Sequence, residues 1–206
     1  ENYKILDGTK IIGDHAFYYA RKLKNIEVPD SLETIENDAF YCCDGITEMV
    51  LGKNVANLGY HSLAEMNNLT TLTLSEKMNA ETTQNFLEWN EKLTTIYVPA
   101  EATSLSEYVY FEESLKEIIV EEGNTSYFSH EGVLYGYDAE GNQKLIAYPK
   151  AKEAENYKIL DGTKIIGTEA FNSAGKLKGI EMPDSLETLE NYAFYCCDGI
   201  TEMVLG

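Results

Sequence analysis

Short apolar triplets, each alternating apolar, polar, apolar and each followed by a turn signal, punctuate the chain at nearly constant spacing. Ile26-Glu27-Val28 shows the logic: strand alternation sends Ile26 and Val28 to one face and Glu27 to the other, Pro29 ends the strand, and Asp30-Ser31 supply turn chemistry. The last residues of successive triplets are Ile5, Val28, Leu51, Leu74, Val98, Val120, Ile159, Met182 and Leu205, separated by 23, 23, 23, 24, 22, 39, 23 and 23. The path between triplets is also patterned, because Ile35, Ala39, Phe40, Cys43 and Ile46 recur one period earlier as Ile12, Ala16, Phe17, Ala20 and Leu23. Positions 39, 40 and 43 share a helical face. The pattern therefore predicts one short helical turn per repeat, pressing Phe17, Phe40, Leu63 and Phe86 inward as a stacked column.

A period of this length with an alternating triplet is the signature of a leucine-rich-repeat solenoid, in which no repeat buries its apolar face without neighbours. The expected fold is α/β: a right-handed β-α superhelix of ~23-residue repeats, with handedness taken from the rule for parallel crossovers. Short parallel strands should form a concave face and short helical turns the convex side. The 39-residue step carries 16 residues beyond the 23-residue norm. Its centre has two apolar stretches, Gly132 to Tyr137 and Lys144 to Pro149, around Asp138-Ala139-Glu140-Gly141-Asn142, which reads as a β-hairpin replacing that repeat's helical turn. One domain is expected over 1–206, with repeats over 1–122, the hairpin interruption over 123–154, and a near-copy of 1–52 over 155–206 that differs at nine positions. Both ends lack a polar cap, so the sequence reads as a piece of a longer array.

Charge narrows the partners. With 35 acidic against 16 basic residues, the net charge of -19 opposes binding to nucleic-acid phosphates or anionic lipid. No apolar run approaches the roughly 20 residues of a membrane helix, and no signal sequence opens the chain. Four cysteines form two adjacent pairs, Cys42-Cys43 and Cys196-Cys197. That is neither a metal spacing nor a disulfide framework, and they read as small buried thiols.

Candidate chemistry is sparse. The residues two before each buried Phe or Leu form a column, His15, Asp38, His61 and Gln84, whose first three members could be brought together on a zinc ion. The second copy carries Glu169 and Tyr192 in that column, so it reads as a solvent-facing row, and no metal or cofactor is expected. Asp138, Glu140 and Asn142 imitate the start of a calcium loop, but Gln143 and Pro149 occupy its glycine and glutamate sites, so a hairpin turn is preferred. Nothing resembles a nucleophile elbow or a phosphate loop. The outward strand positions say more. Val50, Thr73, Tyr97 and Ile119, flanked by Thr71, Thr95 and Glu117, make an apolar and threonine-rich strip bordered by acids, a candidate binding surface. Tyr135, Tyr137 and Tyr148 of the hairpin are expected to pack against the solenoid.

The run Ile35-x-x-x-Ala39-Phe40-x-x-Cys43-x-x-Ile46-x-x-Met49-x-Leu51, preceded by Val28-Pro29-Asp30-Ser31-Leu32, resembles the BspA-type (Treponema pallidum-type) leucine-rich repeats of bacterial surface proteins. Met66 and Trp89 take the place of the cysteine in the two repeats that depart from this pattern. The resemblance implies a secreted or surface-attached bacterial protein that binds other proteins or glycoproteins and performs no catalysis. A structural spacer is the alternative, and a metal-dependent enzyme using the histidine column is a third reading. Exposed strand edges at the two ends suit end-to-end self-association.

Overall fold

The computed structural model describes residues 2–79, 85–105 and 112–205. Seventeen strands, numbered in chain order, lie among the described residues. Nine form the first face of the coils: β1 (Asn2–Lys4), β3 (Asn25–Glu27), β5 (Glu48–Val50), β7 (Thr71–Thr73), β8 (Thr95–Val98), β9 (Glu117–Val120), β13 (Asn156–Lys158), β15 (Gly179–Met182) and β17 (Glu202–Leu205). They are the triplets read from the sequence. Pairing is parallel, in the groups β1-β3, β5-β7-β8-β9 and β13-β15-β17. A residue meets its counterpart one period away, as Met49 meets Leu72 and Ile180 meets Met203. Strand alternation then sorts side chains: Met49, Leu72, Ile96 and Ile118 are buried, while Val50 and Tyr97 face out.

Among the described residues five coils also carry a second, two-residue strand. β2 (Ile11–Ile12), β4 (Thr34–Ile35) and β6 (Asn57–Leu58) form one parallel ladder, continued in the later coils by β14 (Ile165–Ile166) and β16 (Thr188–Leu189).

The expected helical turns are absent, and with them the α/β class: among the described residues no helix forms, and the array is a β-solenoid. The backbone explains why. His15 and Tyr19 have φ of 57° and 59°, and the same left-handed pair recurs at Asp38 and Cys42, His61 and Glu65, Asn85 and Trp89, Glu169 and Ser173, and Tyr192 and Cys196. A left-handed residue at every fourth position redirects the peptide units, so a helix cannot propagate. Donors split instead. Ala16, Tyr18 and Ala20 donate three residues back within their own turn, while His15, Phe17 and Tyr19 donate to Asn37, Ala39 and Tyr41 of the next coil. Left-handed non-glycine residues are costly, although Asn, Asp and His tolerate the region best. Here the cost is offset by inter-coil hydrogen bonds and by burial.

The inward column does form. Phe17 stacks on Phe40 at 5.0 Å with an interplanar angle of 4°, and Phe40 and Leu63 are fully buried. In the fourth coil buried Leu87 rather than the expected Phe86 takes the place in the column, since the Leu63 amide donates to the Phe86 carbonyl as the Phe40 amide does to that of Ser62. Cys43 points inward beside it, its thiol donating to the Phe17 carbonyl at 3.1 Å, and Cys197 repeats the bond to Phe171. In the 85–90 coil, where the step is 24 rather than 23, the register slips by one. Trp89 falls on an outward left-handed position, and Asn90 fills the inward gap expected of it. Asn90 Nδ2 donates to the Leu63 carbonyl at 2.9 Å, and its Oδ1 accepts from the Met66 amide at 2.9 Å. Asn90 thus does with an amide what Cys43 does with a thiol.

The insertion is a three-stranded antiparallel meander, β10 (Tyr127–His130), β11 (Val133–Tyr137) and β12 (Gln143–Ala147). The predicted β11-β12 hairpin is present, and Asp138 holds its turn by accepting from the Glu140 and Asn142 amides at 2.9 and 2.8 Å. β10 joins β11 through a two-residue turn at Glu131 and Gly132, both at positive φ, the hairpin geometry that suits strand twist. A Cβ on Gly132 would lie 2.8 Å from the Glu117 Cβ. The meander does not simply replace a convex turn. β12 enters the second ladder beside β14, and Tyr148 then joins the inward column, stacked on Phe171 at 5.1 Å. β11 is buried on both faces. Leu134 belongs to the core of the first coils, while Val133 and Tyr135 belong to the core of the last ones.

Asn90→Ala strands the Met66 amide and the Leu63 carbonyl in a dry interior, and is expected to cost at least about 2 kcal/mol in denaturant unfolding. Asn90→Cys should recover part of that loss by restoring one donor; an equal cost for both variants would contradict the assigned role.

Candidate functional site

The first face brings every residue of the expected strip together on one sheet. Val50, Thr73, Tyr97 and Ile119 are consecutive partners across β5, β7, β8 and β9, and Thr71, Thr95 and Glu117 form the parallel row two residues before them. Val50 is 60% exposed and Tyr97 40%. Thr95 is buried instead, its hydroxyl 3.1 Å from Glu117 Oε1. It braces the row without presenting a surface. Thr73, Tyr97 and Ile119, with Pro99 and Glu121, line a shallow depression of ≈ 360 Å³. It offers a half-exposed phenol, aliphatic walls and one carboxylate at the edge.

The histidine column forms a string. His15 Nε2 lies 3.6 Å from Asp38 Oδ2, His61 Nδ1 3.8 Å from Asp38 Oδ1, and His61 Nε2 3.4 Å from Glu88 Oε2. Among the described residues no three such side chains converge where a metal ion could sit. The solvent-facing reading also needs correction, because His61 is only 9% exposed. Tyr60 stacks on it at 3.7 Å and Trp89 lies 4.8 Å away. What unites His15, Asp38 and His61 is backbone conformation, since all three are left-handed. Gln84 lies outside the described residues, and the left-handed position of that coil is Asn85.

The four cysteines are free. Cys42 and Cys43 are buried as expected, and burial pushes the Cys43 thiol up to about 12. Cys196 departs from the expectation by being exposed. For Cys42 the next coil supplies Glu65, whose Oε2 lies 3.1 Å from the thiol. Of the insertion's tyrosines, Tyr135 and Tyr148 are buried, with the Tyr135 hydroxyl 2.8 Å from that of Tyr157, while Tyr137 is exposed.

One feature had no sequence signal. An open cavity of ≈ 740 Å³ is lined by Glu88, Trp89, Glu112, Glu113 and Lys150 among others. Burial raises the Glu112 carboxyl from 4.5 to about 8, against the opposing pull of the Asn90 backbone hydrogen bond and the Lys150 charge. Nothing in the triplet pattern marks Glu112, because it sits where the repeat is irregular.

The coils share parallel strands in register and an inward aromatic column, and in two of them, at Cys43 and Cys197, a thiol inside the turn donates to the preceding coil. The chain matches the family described as BspA type Leucine rich repeat region, in six copies, over residues 1–130 and 147–206. It belongs to this family. The unmatched stretch, 131–146, holds 16 residues, the same number by which the long step exceeds the period, and contains β11 and most of β12. A leucine rich cell surface protein of Faecalibacterium prausnitzii is similar at 25% identity and TM-score 0.62, covering 99% of this chain and 54% of that one. A leucine-rich repeat protein of Eubacterium ventriosum is 19% identical with TM-score 0.64, covering 99% and 67%. The pneumococcal vaccine antigen PcpA is 20% identical with TM-score 0.60, covering 100% and 60%. This chain thus spans between about half and two thirds of the length of these neighbours. No curated protein matches it in sequence. No helix among the described residues is long and apolar enough to cross a membrane.

Two outcomes are expected. Iodoacetamide should label exposed Cys196 well before Cys43, read by peptide mass spectrometry under native conditions; comparable rates would contradict the packing of the turn. Folded Glu112 keeps its proton up to about pH 8, whereas the unfolded chain releases it near 4.5. The stability this adds is therefore complete below that lower value and is lost as pH rises toward 8. Glu112→Gln should flatten the decline of unfolding free energy between those limits relative to the parent.

Proposed function

We propose that this chain is a noncatalytic recognition module displayed on a bacterial cell surface, binding a protein or glycoprotein through the first-face strip centred on Tyr97. The observation that carries this reading is the unbroken row Val50, Thr73, Tyr97 and Ile119, four side chains held in register by one sheet with the central tyrosine 40% exposed. Tyrosine suits such a place because it offers large contact area at low entropy cost and a hydroxyl that tolerates water. The surface location is supported by family membership and by the cell-surface protein of Faecalibacterium prausnitzii that shares the fold.

The test is a binding screen of the chain against immobilised extracellular-matrix proteins, mucins and bacterial cells, repeated at high salt. Tyr97→Glu is expected to weaken any saturable hit by at least about tenfold, equivalent to about 1.4 kcal/mol. Unchanged binding by a folded Tyr97→Glu variant would move the site off this strip. A screen without hits would favour a spacer that carries another domain outward.

A further inference from the structure

The turn face of the first four coils carries a run of aromatic rings that the strand-face reading does not use. Tyr18 stacks on Tyr41 at 5.3 Å, the Tyr41 ring lies 5.8 Å from His61, and His61 is sandwiched with Tyr60 and Trp89. Tyr18, Tyr60 and Trp89 are each about half exposed, Trp89 at 53%. Tyr18 covers one face of Tyr41 and Tyr60 one face of His61, and the surface these rings still leave to solvent is aromatic where a protein surface ordinarily carries charge.

Carboxylates edge the run. Glu65 is paired with neutral donors, the Cys42 thiol at 3.1 Å and the Tyr41 hydroxyl. Its charge is therefore hydrogen-bonded but not neutralised. Glu88 stands 3.4 Å from His61 Nε2. In a chain of net charge -19 this combination favours a cationic occupant.

The first coil shows how such an occupant sits. The Arg21 guanidinium carbon lies 4.9 Å from the centre of the Tyr19 ring, and its Nε is 3.4 Å from Asp44 Oδ2 of the following coil. Ring below and carboxylate beside is the arrangement that guanidinium groups prefer. Among the described residues this is the one cation seated over a ring, while ring and carboxylate recur along the run.

The internal duplication adds an independent observation. Of the nine positions at which 155–206 differs from 1–52, six lie in the turns, at 14, 15, 18, 19, 21 and 38. Tyr18, Tyr19 and Arg21 are replaced by Asn172, Ser173 and Gly175, whereas the outward strand residues Glu27 and Val50 are kept as Glu181 and Val204. The two copies share a scaffold and differ chiefly in turn-face chemistry.

We propose that the turn face of the first four coils, the rings of Tyr18, Tyr41, Tyr60 and Trp89 edged by Glu65 and Glu88, docks an arginine-rich polypeptide segment. Guanidinium groups stack on the rings and pair with the carboxylates. Three steps between coils span about 14 Å at the spacing of parallel strands, so four or five extended residues, at about 3.4 Å each, cover the run. This surface is independent of the strip around Tyr97, with which it shares no residue.

Trp89 is the only tryptophan of the chain, so its fluorescence reports the surface directly. The probe is a blocked octapeptide alternating arginine and serine, titrated into the full chain at low and at physiological salt. A saturable change in Trp89 emission is expected, with the lysine analogue about fivefold weaker because an ammonium does not stack. Tyr18→Asn installs the side chain that the second copy already carries in an equivalent coil, and Glu88→Gln removes one charge. Together they should weaken binding about tenfold, and Tyr60→Ala provides a separate reading should that pair fold poorly. Glu181→Gln with Glu187→Gln, on other legs of the coil, should change affinity by less than about twofold. Tyr97→Glu should leave it unchanged, which separates this result from the strand-face test. Silence of Trp89, parental affinity in the ring variants, or an equal loss in the off-face control would overturn the proposal. So would a response to a neutral hexasaccharide with none to the arginine peptide.

Discussion

The register between coils rests on backbone donors that leave one coil and land on the next, and nearly every other property of the molecule follows from where those bonds fall. In each turn alternate N–H groups point along the array, as Phe17 to Ala39, Phe40 to Ser62 and Phe171 to Ala193, while those between them close the turn on itself. On the first face the strands pair residue for residue one period apart. The inward phenylalanines are thereby forced into a stack, the cysteine or asparagine beside them meets a carbonyl of the preceding coil, and surface charges align. Lys158 with Glu181 and Lys164 with Glu187, 23 residues apart and 2.8 and 2.9 Å between charged atoms, are consequences of the register. Exposed as they are, they add little to it.

The strands and the aromatic column were legible in the sequence because both are written in apolar spacing, and burial enforces that spacing in every coil. The β11-β12 turn was legible because Asp138, Gly141 and Asn142 have local conformational preferences that no neighbour overrides. The turns were misread as helical because Ala39, Phe40 and Cys43 face one way in either conformation. Periodicity reports which side chains are inside and is silent on where the amides between them point. The available clue was residue type: His15, Asp38, His61 and Asn85 are the kinds that accept left-handed φ, and their recurrence marks a backbone constraint that imitates a ligand set.

The strip was legible as an arrangement, since outward positions follow from alternation, yet Thr95 shows that an outward position need not be an open one. The Trp89 and Asn90 exchange shows the limit of counting. A single extra residue in one step moved the bulky ring to the surface and placed a polar amide in the core, where its hydrogen-bonding capacity made it acceptable. Glu112 lies beyond any such reading, because its environment is assembled by residues from separate coils at the least regular part of the array.

The β11 strand, with Leu134 on one side and Val133 and Tyr135 on the other, is a party wall. Removing the coils on either side would leave half of this strand facing water, so each half of the array holds a stake in the folding of the other. Stacked repeats ordinarily lose cooperativity with length, because each knows only its neighbours. A wall shared by two cores works against that tendency. It splices a foreign element into the stack while keeping both halves in one cooperative unit.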